Sequence, residues 1–163
     1  NNSNWDNTLE DHPGKYRSIR LGFRQVKGLR EDDINLLLKK RANGFQAINQ
    51  LREAGITEVV LEKLAEADAF RSMDQDRRKA LWHASSKDFK KASLFNSQCT
   101  DHSESNKLPE MSLSEQVVHD YSSMSLSLKG HPVSFLRKEL EQLRVWPASK
   151  LSDAKDRDLV RVA

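Results

Sequence analysis

A chain of 163 residues with 37% hydrophobic and 31% charged residues holds one modest core, or a small domain with tails. No apolar run approaches the roughly 18 residues of a membrane span. The single cysteine, Cys99, excludes an internal disulfide and fits a reducing compartment, and the polar start NNSNWDNTLED is no signal peptide. The formal charge is only +3, but residues 15–45 carry nine Lys/Arg against three Asp/Glu. Residues 71–91 are again basic, whereas residues 1–14 and 46–70 are acidic. Basic blocks flanking an acidic helical block favour an anionic polymer on one face.

Residues 1–14 are polar, with Trp5 as their large anchor and a turn at Pro13-Gly14. Alternation from Tyr16 to Leu21 allows a short strand or an extended arm. The stretch that organises the chain follows. Leu21, Phe23 and Val26 run into Lys27-Gly28-Leu29-Arg30, and a helical pattern with Ile34, Leu37 and Leu38 comes next. Such an order reads as a helix-hairpin-helix. Glycine lets the main chain approach a phosphate, and the next helix offers unpaired N–H groups and a positive dipole end. Arg20, Arg24, Lys27 and Arg30 beside the turn add charge attraction without sequence readout. Gly28 and Leu29 of the turn itself, and Lys39 and Lys40 further along the helix, complete the candidate DNA-binding set.

Glu31, Asp32 and Asp33 open that helix, where negative charge suits the dipole. A metal site is disfavoured because consecutive helical residues point about 100° apart. The helix is expected to run to about Asn43, with Gly44 as its C′ glycine. Phe45, Ile48 and Leu51 line a third helix stopped by Gly55. Thr57 can cap a fourth that turns Val60, Leu61 and Leu64 inward. Ala67-Asp68-Ala69-Phe70 closes it. A fifth helix, over about residues 74–84, holds Ala80, Leu81 and Trp82, with Arg77, Arg78 and Lys79 on its solvated side. Turns near Gly28 and Ala69 make a pseudo-repeat of two units around one core, too few for a solenoid.

Residues 85–111 lose the helical period and read as a flexible linker. Cys99 and His102 lie in it without the further ligands that zinc needs, and Leu94-Phe95 is its one apolar island. Ser112 and Glu115 form a capping box. The helix after it should bury Leu113, Val117 and Val118 or Tyr121. His131, a cap or turn residue, precedes Pro132 in the first turn of a last helix carrying Phe135, Leu136, Leu140 and Leu143. Trp146-Pro147 ends it, and a polar connector leads to a final strand. The fold class expected is mostly α: a tandem helix-hairpin-helix bundle, a helical connector, and short strands near the termini.

Three runs, RLGFRQVKGLREDD, LEKLAEADAFRSMDQDRRKALW and DYSSMSLSLKGHPVSFLR, resemble the C-terminal half of a C-family bacterial DNA polymerase. The likeness is to the error-prone relative of the polymerase III alpha subunit, and SNWDNTLE resembles the end of that family's fingers region. The resemblance implies five parts. Residues 1–19 end the fingers region or form an arm, and residues 20–84 are a tandem helix-hairpin-helix domain. Residues 85–111 are the linker, 112–157 a helical connector, and 158–163 the first strand of an OB-fold. It also implies that this region binds duplex DNA behind an active site whose catalytic aspartates and Mg2+ lie in a palm upstream. The missing initiator Met and a last stretch that stops inside a strand fit a piece of a longer chain. The piece is expected to be monomeric, cytoplasmic, inert alone, and without a cofactor of its own.

The chain departs from the family's Gly-hydrophobic-Gly hairpin at Arg30, and Asp68 stands where the second hairpin's glycine is expected. The first hairpin is therefore the expected DNA site and the second mainly structural. Family members also carry a short sliding-clamp motif between the hairpin domain and the OB-fold. Ser93-Leu94-Phe95 matches its last three positions, whereas Lys91 replaces the glutamine. An alternative function follows, in which the chain tethers a polymerase to the clamp or to accessory repair proteins. An independent enzyme is disfavoured, because no convergent set of carboxylates, histidines or nucleophiles is present.

Overall fold

The computed structural model describes residues 2–41, 44–85 and 108–163. About half of these residues are helical, and the strands are four and very short. At the N-terminus, β1 (Thr8–Glu10) pairs antiparallel with β2 (Ser18–Arg20), setting Leu9 opposite Ile19. The chain then crosses its own start. Phe23 and Arg24 donate their N–H groups to the carbonyls of Asn4 and Trp5, at 2.9 and 3.1 Å. A Cβ on Gly22 would sit 2.3 Å from the Trp5 carbonyl oxygen, so only glycine permits the crossing. That contact seats a 3-10 turn, Phe23–Gln25, beside the main core.

Four helices build that core: α1 (Glu31–Lys40), α2 (Ile48–Glu53), α3 (Glu58–Glu66) and α4 (Arg77–Ser85). Ile34 and Leu37, one turn apart, face inward from α1, and Val60, Leu61 and Leu64 do so from α3. Phe45, Ile48, Leu51, Val60, Leu64 and Phe70 join one buried cluster, as their spacing predicts. Fully burying such a side chain stabilises the fold by about 1.5–3 kcal/mol.

Several boundaries differ from expectation. Helix α1 ends at Lys40 rather than near residue 43, because Arg41 closes a tighter turn on the Leu38 carbonyl at 3.3 Å. Thr57 does hold the N-cap position of α3, but its hydroxyl makes no capping bond. Helix α4 starts at Arg77, not Asp74, since residues Arg71–Met73 form a 3-10 turn and Asp74 adopts φ +53°. Asp76 caps α4 instead, accepting from the Lys79 N–H at 2.9 Å. Partial burial opposes its charge, but the Lys79 N–H and ammonium together hold its pKa below the ordinary carboxylate value.

Helix α5 (Leu113–Met124) opens on the expected capping box of Ser112 and Glu115. Its inward face is not the predicted apolar one: Val117 is buried, but its companions are Asp120 and Ser123, while Leu113, Val118 and Tyr121 are exposed. The next expected helix is two pieces, α6 (Pro132–Phe135) and α7 (Arg137–Gln142), broken where Leu136 leaves helical geometry. Phe135, Leu136 and Leu143 are consequently exposed rather than packed. His131 is the N-cap of α6, its Nδ1 accepting from the Val133 N–H at 3.3 Å. Trp146 lies in β3 (Val145–Trp146), which pairs parallel with β4 (Arg161–Val162), and a 3-10 helix, Ala148–Asp153, stands between them. Ser93, Leu94, Phe95, Cys99 and His102 lie outside the described residues.

Candidate nucleic-acid interface

The first hairpin connects the 3-10 turn to α1 through Val26-Lys27-Gly28-Leu29-Arg30. Val26 is buried and Leu29 packs against the core, so the turn is pinned from within. Gly28 takes φ +80°, where a side chain is strained, although an added Cβ would meet only the Lys63 methylenes at 3.6 Å. Glycine is thus required by backbone conformation and not by crowding. Arg30 is the N-cap of α1, is exposed, and gives no side-chain cap, so the first amides of α1 lack a side-chain partner. The N–H groups of Gly28 and Arg30 donate to nothing among the described residues. Free amides, a positive dipole end and an exposed guanidinium form a place for an anionic oxygen. Glu31 and Asp32, exposed on the same first turn, limit how much negative charge can approach.

The structure brings Arg24, Lys27, Gly28, Leu29 and Arg30 together, but their charges are not equally free. Arg24 pairs with Asp6 at 2.5 Å on the surface. Arg20, in β2, makes a two-point contact with Glu10 at 2.5 and 2.8 Å, and that hydrogen-bonded carboxylate raises its pKa. Lys39 and Lys40 are exposed at the opposite end of α1, about 14 Å along the axis from Arg30. Lys27 is engaged: its ammonium donates to the carbonyls of Ser122 and Tyr121 at 2.9 and 3.3 Å, and its N–H to that of Ser123 at 2.9 Å. These are the last carbonyls of α5, where a cation complements the dipole.

The second hairpin, between α3 and α4, also turns through a left-handed residue, here an aspartate. Asp68 follows the end of α3 at φ +57°, its N–H on the Ala65 carbonyl at 3.0 Å and the Ala69 N–H on that of Leu64 at 3.0 Å. This is a Schellman ending with aspartate in the usual glycine position. Its carboxylate is 8% exposed and is held at 2.7 Å by both Arg71 and Lys129. Lys129 reaches on to Asp120 at 3.6 Å, and Asp120 pairs with Arg77. Both Arg77 and Asp120 side chains are nearly fully buried, at 2% and 3% exposure.

Arg77 therefore does not lie on the solvated side of α4, as the basic run Arg77-Arg78-Lys79 suggests. It turns inward to α5, also donating to the Gln116 carbonyl at 3.0 Å. The network was missed because Arg77 and Asp120 are 43 residues apart. A signal existed: Asp120 falls three residues after Val117, so an acid occupies the inward face of α5 and needs a buried cation. Arg77 Nε and Asp68 Oδ1 have no hydrogen-bond partner, which weakens the network as a source of stability. Among the described residues, no group of three or more His, Cys, Asp or Glu could hold a metal.

Residues 1–80 match the helix-hairpin-helix motif family. The chain is 40% identical over 154 residues to the error-prone DNA polymerase of Mesorhizobium japonicum, covering 90% of this chain and 14% of that protein. It is 42% identical over 157 residues to that of Ruegeria pomeroyi (93% and 14%) and 41% over 161 residues to that of Caulobacter vibrioides (91% and 14%). The chain thus spans about one-seventh of the relatives it matches. No solved structure matches it. With a helix-hairpin-helix match and this identity along nearly its whole length, the chain belongs to the C-family DNA polymerases, on their error-prone branch.

Proposed function

We propose that this chain is a sequence-independent duplex-DNA-binding region of an error-prone, lesion-bypassing DNA-directed DNA polymerase. The observation that carries the proposal is the first hairpin: unpaired amides at Gly28 and Arg30, the exposed Arg30 guanidinium, and the start of α1. Main-chain amides and a cation at a helix start suit phosphate oxygens, which carry no sequence information, and this supports binding indifferent to sequence. Nucleotidyl transfer and its Mg2+ belong to residues outside this chain, and the region's contribution is to hold the template–primer duplex in register behind them. Damage-linked replication and repair in the cytoplasm follow from the same assignment.

The test is a titration of the chain on primed duplex and on single-stranded DNA across a range of salt. The expected result is tighter binding to duplex and affinity falling steeply with salt. Salt-insensitive binding, or none, would reject the proposal. The second reading, a tether, rests on the apolar pair beside Ser93 at Leu94-Phe95. Titration with the sliding clamp separates it, because paired apolar anchors in a pocket depend little on salt.

A further inference from the structure

We propose that α5 is a strap that competes with nucleic acid for the first hairpin. This rests on the reading of that hairpin as a phosphate site, and adds how access to it is set.

The strap lies across both hairpins. Its N-terminal half is fastened beside the second: Arg71 donates to Gln116 Oε1 at 3.1 Å, Arg77 to the Gln116 carbonyl, and Arg78 reaches Glu115 at 3.6 Å. The buried Arg77–Asp120 pair fixes its middle. The loop after it is drawn back by Lys129 onto Asp68. Its C-terminal end then lands on the first hairpin, where three consecutive carbonyls, Tyr121, Ser122 and Ser123, take the ammonium and the N–H of Lys27.

A phosphate at the hairpin would use those same donors. It cannot share them with the strap, because the final carbonyls of a helix carry the negative end of its dipole and repel an anion. With the strap seated, the site offers Arg30 and the free amides but not Lys27. With the strap displaced, Lys27 joins them. Nucleic acid is thus bound weakly by the strapped form and more tightly once it has pushed the end of α5 away. Asp68 and Lys129 gain a role in this arrangement: the second hairpin is the anchor that biases the strap toward its seat.

The experiment uses the chain with Lys129→Met. This variant loosens the anchor while leaving Asp68 to Arg71 and Asp120 to Arg77, so each buried carboxylate keeps one cation. Duplex affinity is read by fluorescence anisotropy over a range of KCl. A strap seated about nine-tenths of the time predicts affinity about tenfold tighter on release, with the log–log salt slope unchanged, because the strap is displaced in the complex of both chains. In the Lys129→Met background, Lys27→Met should reduce the salt slope by about 1, the signature of one lost phosphate contact. Amide exchange supplies a readout without DNA: the Lys27 N–H should be protected in the natural chain and exchange faster in Lys129→Met. Equal affinity and exchange in the two chains would overturn the strap and leave the DNA site standing. Faster exchange with no DNA binding by either chain would overturn the DNA site, and competition with it.

Discussion

The two hairpins each turn through one left-handed residue and differ in hydrogen bonding and chemistry. Gly28, at φ +80°, leads directly into α1 with its N–H unbonded among the described residues, whereas Asp68, at φ +57°, closes α3 and is separated from α4 by a 3-10 turn. At the first, the turn residue has no side chain, and unpaired amides and Arg30 face outward. At the second, a carboxylate fills the turn and is neutralised by Arg71 and Lys129. A left-handed turn between helices is thus a geometry and not a function. What occupies it decides its chemistry: glycine leaves the turn without a charge of its own, and aspartate takes the chain's own cations.

The sharpest way to break the comparison is to remove the charge pair behind the second hairpin. Asp120→Ala leaves Arg77 buried without its partner and should cost about 3–5 kcal/mol in denaturant unfolding. Replacing both, Arg77→Met with Asp120→Leu, should recover most of that loss. If the single substitution is silent, the second hairpin is not anchored through α5. Next in size is the core shared by the two units. Leu64→Ala, at a site 1% exposed, should cost about 2–5 kcal/mol, and an unchanged melting temperature would mean the hairpins do not rest on one core.

Smaller effects separate the turns themselves. Gly28→Ala should cost about 1–2 kcal/mol from backbone strain alone, since space for the methyl is present. Asp68→Asn keeps the turn but removes the anchor's charge, so it should lower stability through Lys129 and Arg71 and, by loosening the strap, shift duplex affinity in the same direction as Lys129→Met. At the start of α5, Ser112→Ala should lose about 0.5–2 kcal/mol of capping. The backbone and hydroxyl of Ser112 hold the Glu115 pKa below its ordinary value. A depressed carboxylate stabilises the fold above the unfolded-state pKa of about 4 and loses that contribution as pH falls through the folded-state value. Acid unfolding of Ser112→Ala should therefore differ from the natural chain less below that window than above it.

Periodicity made the core legible: the three- and four-residue spacing of Ile34, Leu37, Val60, Leu61 and Leu64 fixes which helix faces turn inward. Local chemistry made the capping box at Ser112 and the cap at His131 legible as well. The long-range ionic network was not, because each member reads locally as a solvated charge, and only Asp120, on the inward face of α5, breaks its pattern. The break of the last helix at Leu136 was missed for a different reason. An apolar period over Phe135, Leu136, Leu140 and Leu143 predicts a packed face, but Phe135, Leu136 and Leu143 stay exposed and Leu140 is half-buried. Within the site, spacing located the first hairpin but could not say that Lys27 is held by carbonyls from nearly 100 residues away.

The central claim, that the first hairpin meets DNA and the second holds the chain together, is tested most directly by one paired salt titration. Arg30→Ala and Arg71→Ala each remove one exposed guanidinium, beside the first and second hairpins respectively. Duplex affinity is measured for both against salt. Arg30→Ala should bind more weakly at low salt with a slope reduced by about 1, the signature of one lost phosphate contact, whereas Arg71→Ala should keep the natural slope. A flattened slope in Arg71→Ala with none in Arg30→Ala would reverse the assignment of the two hairpins.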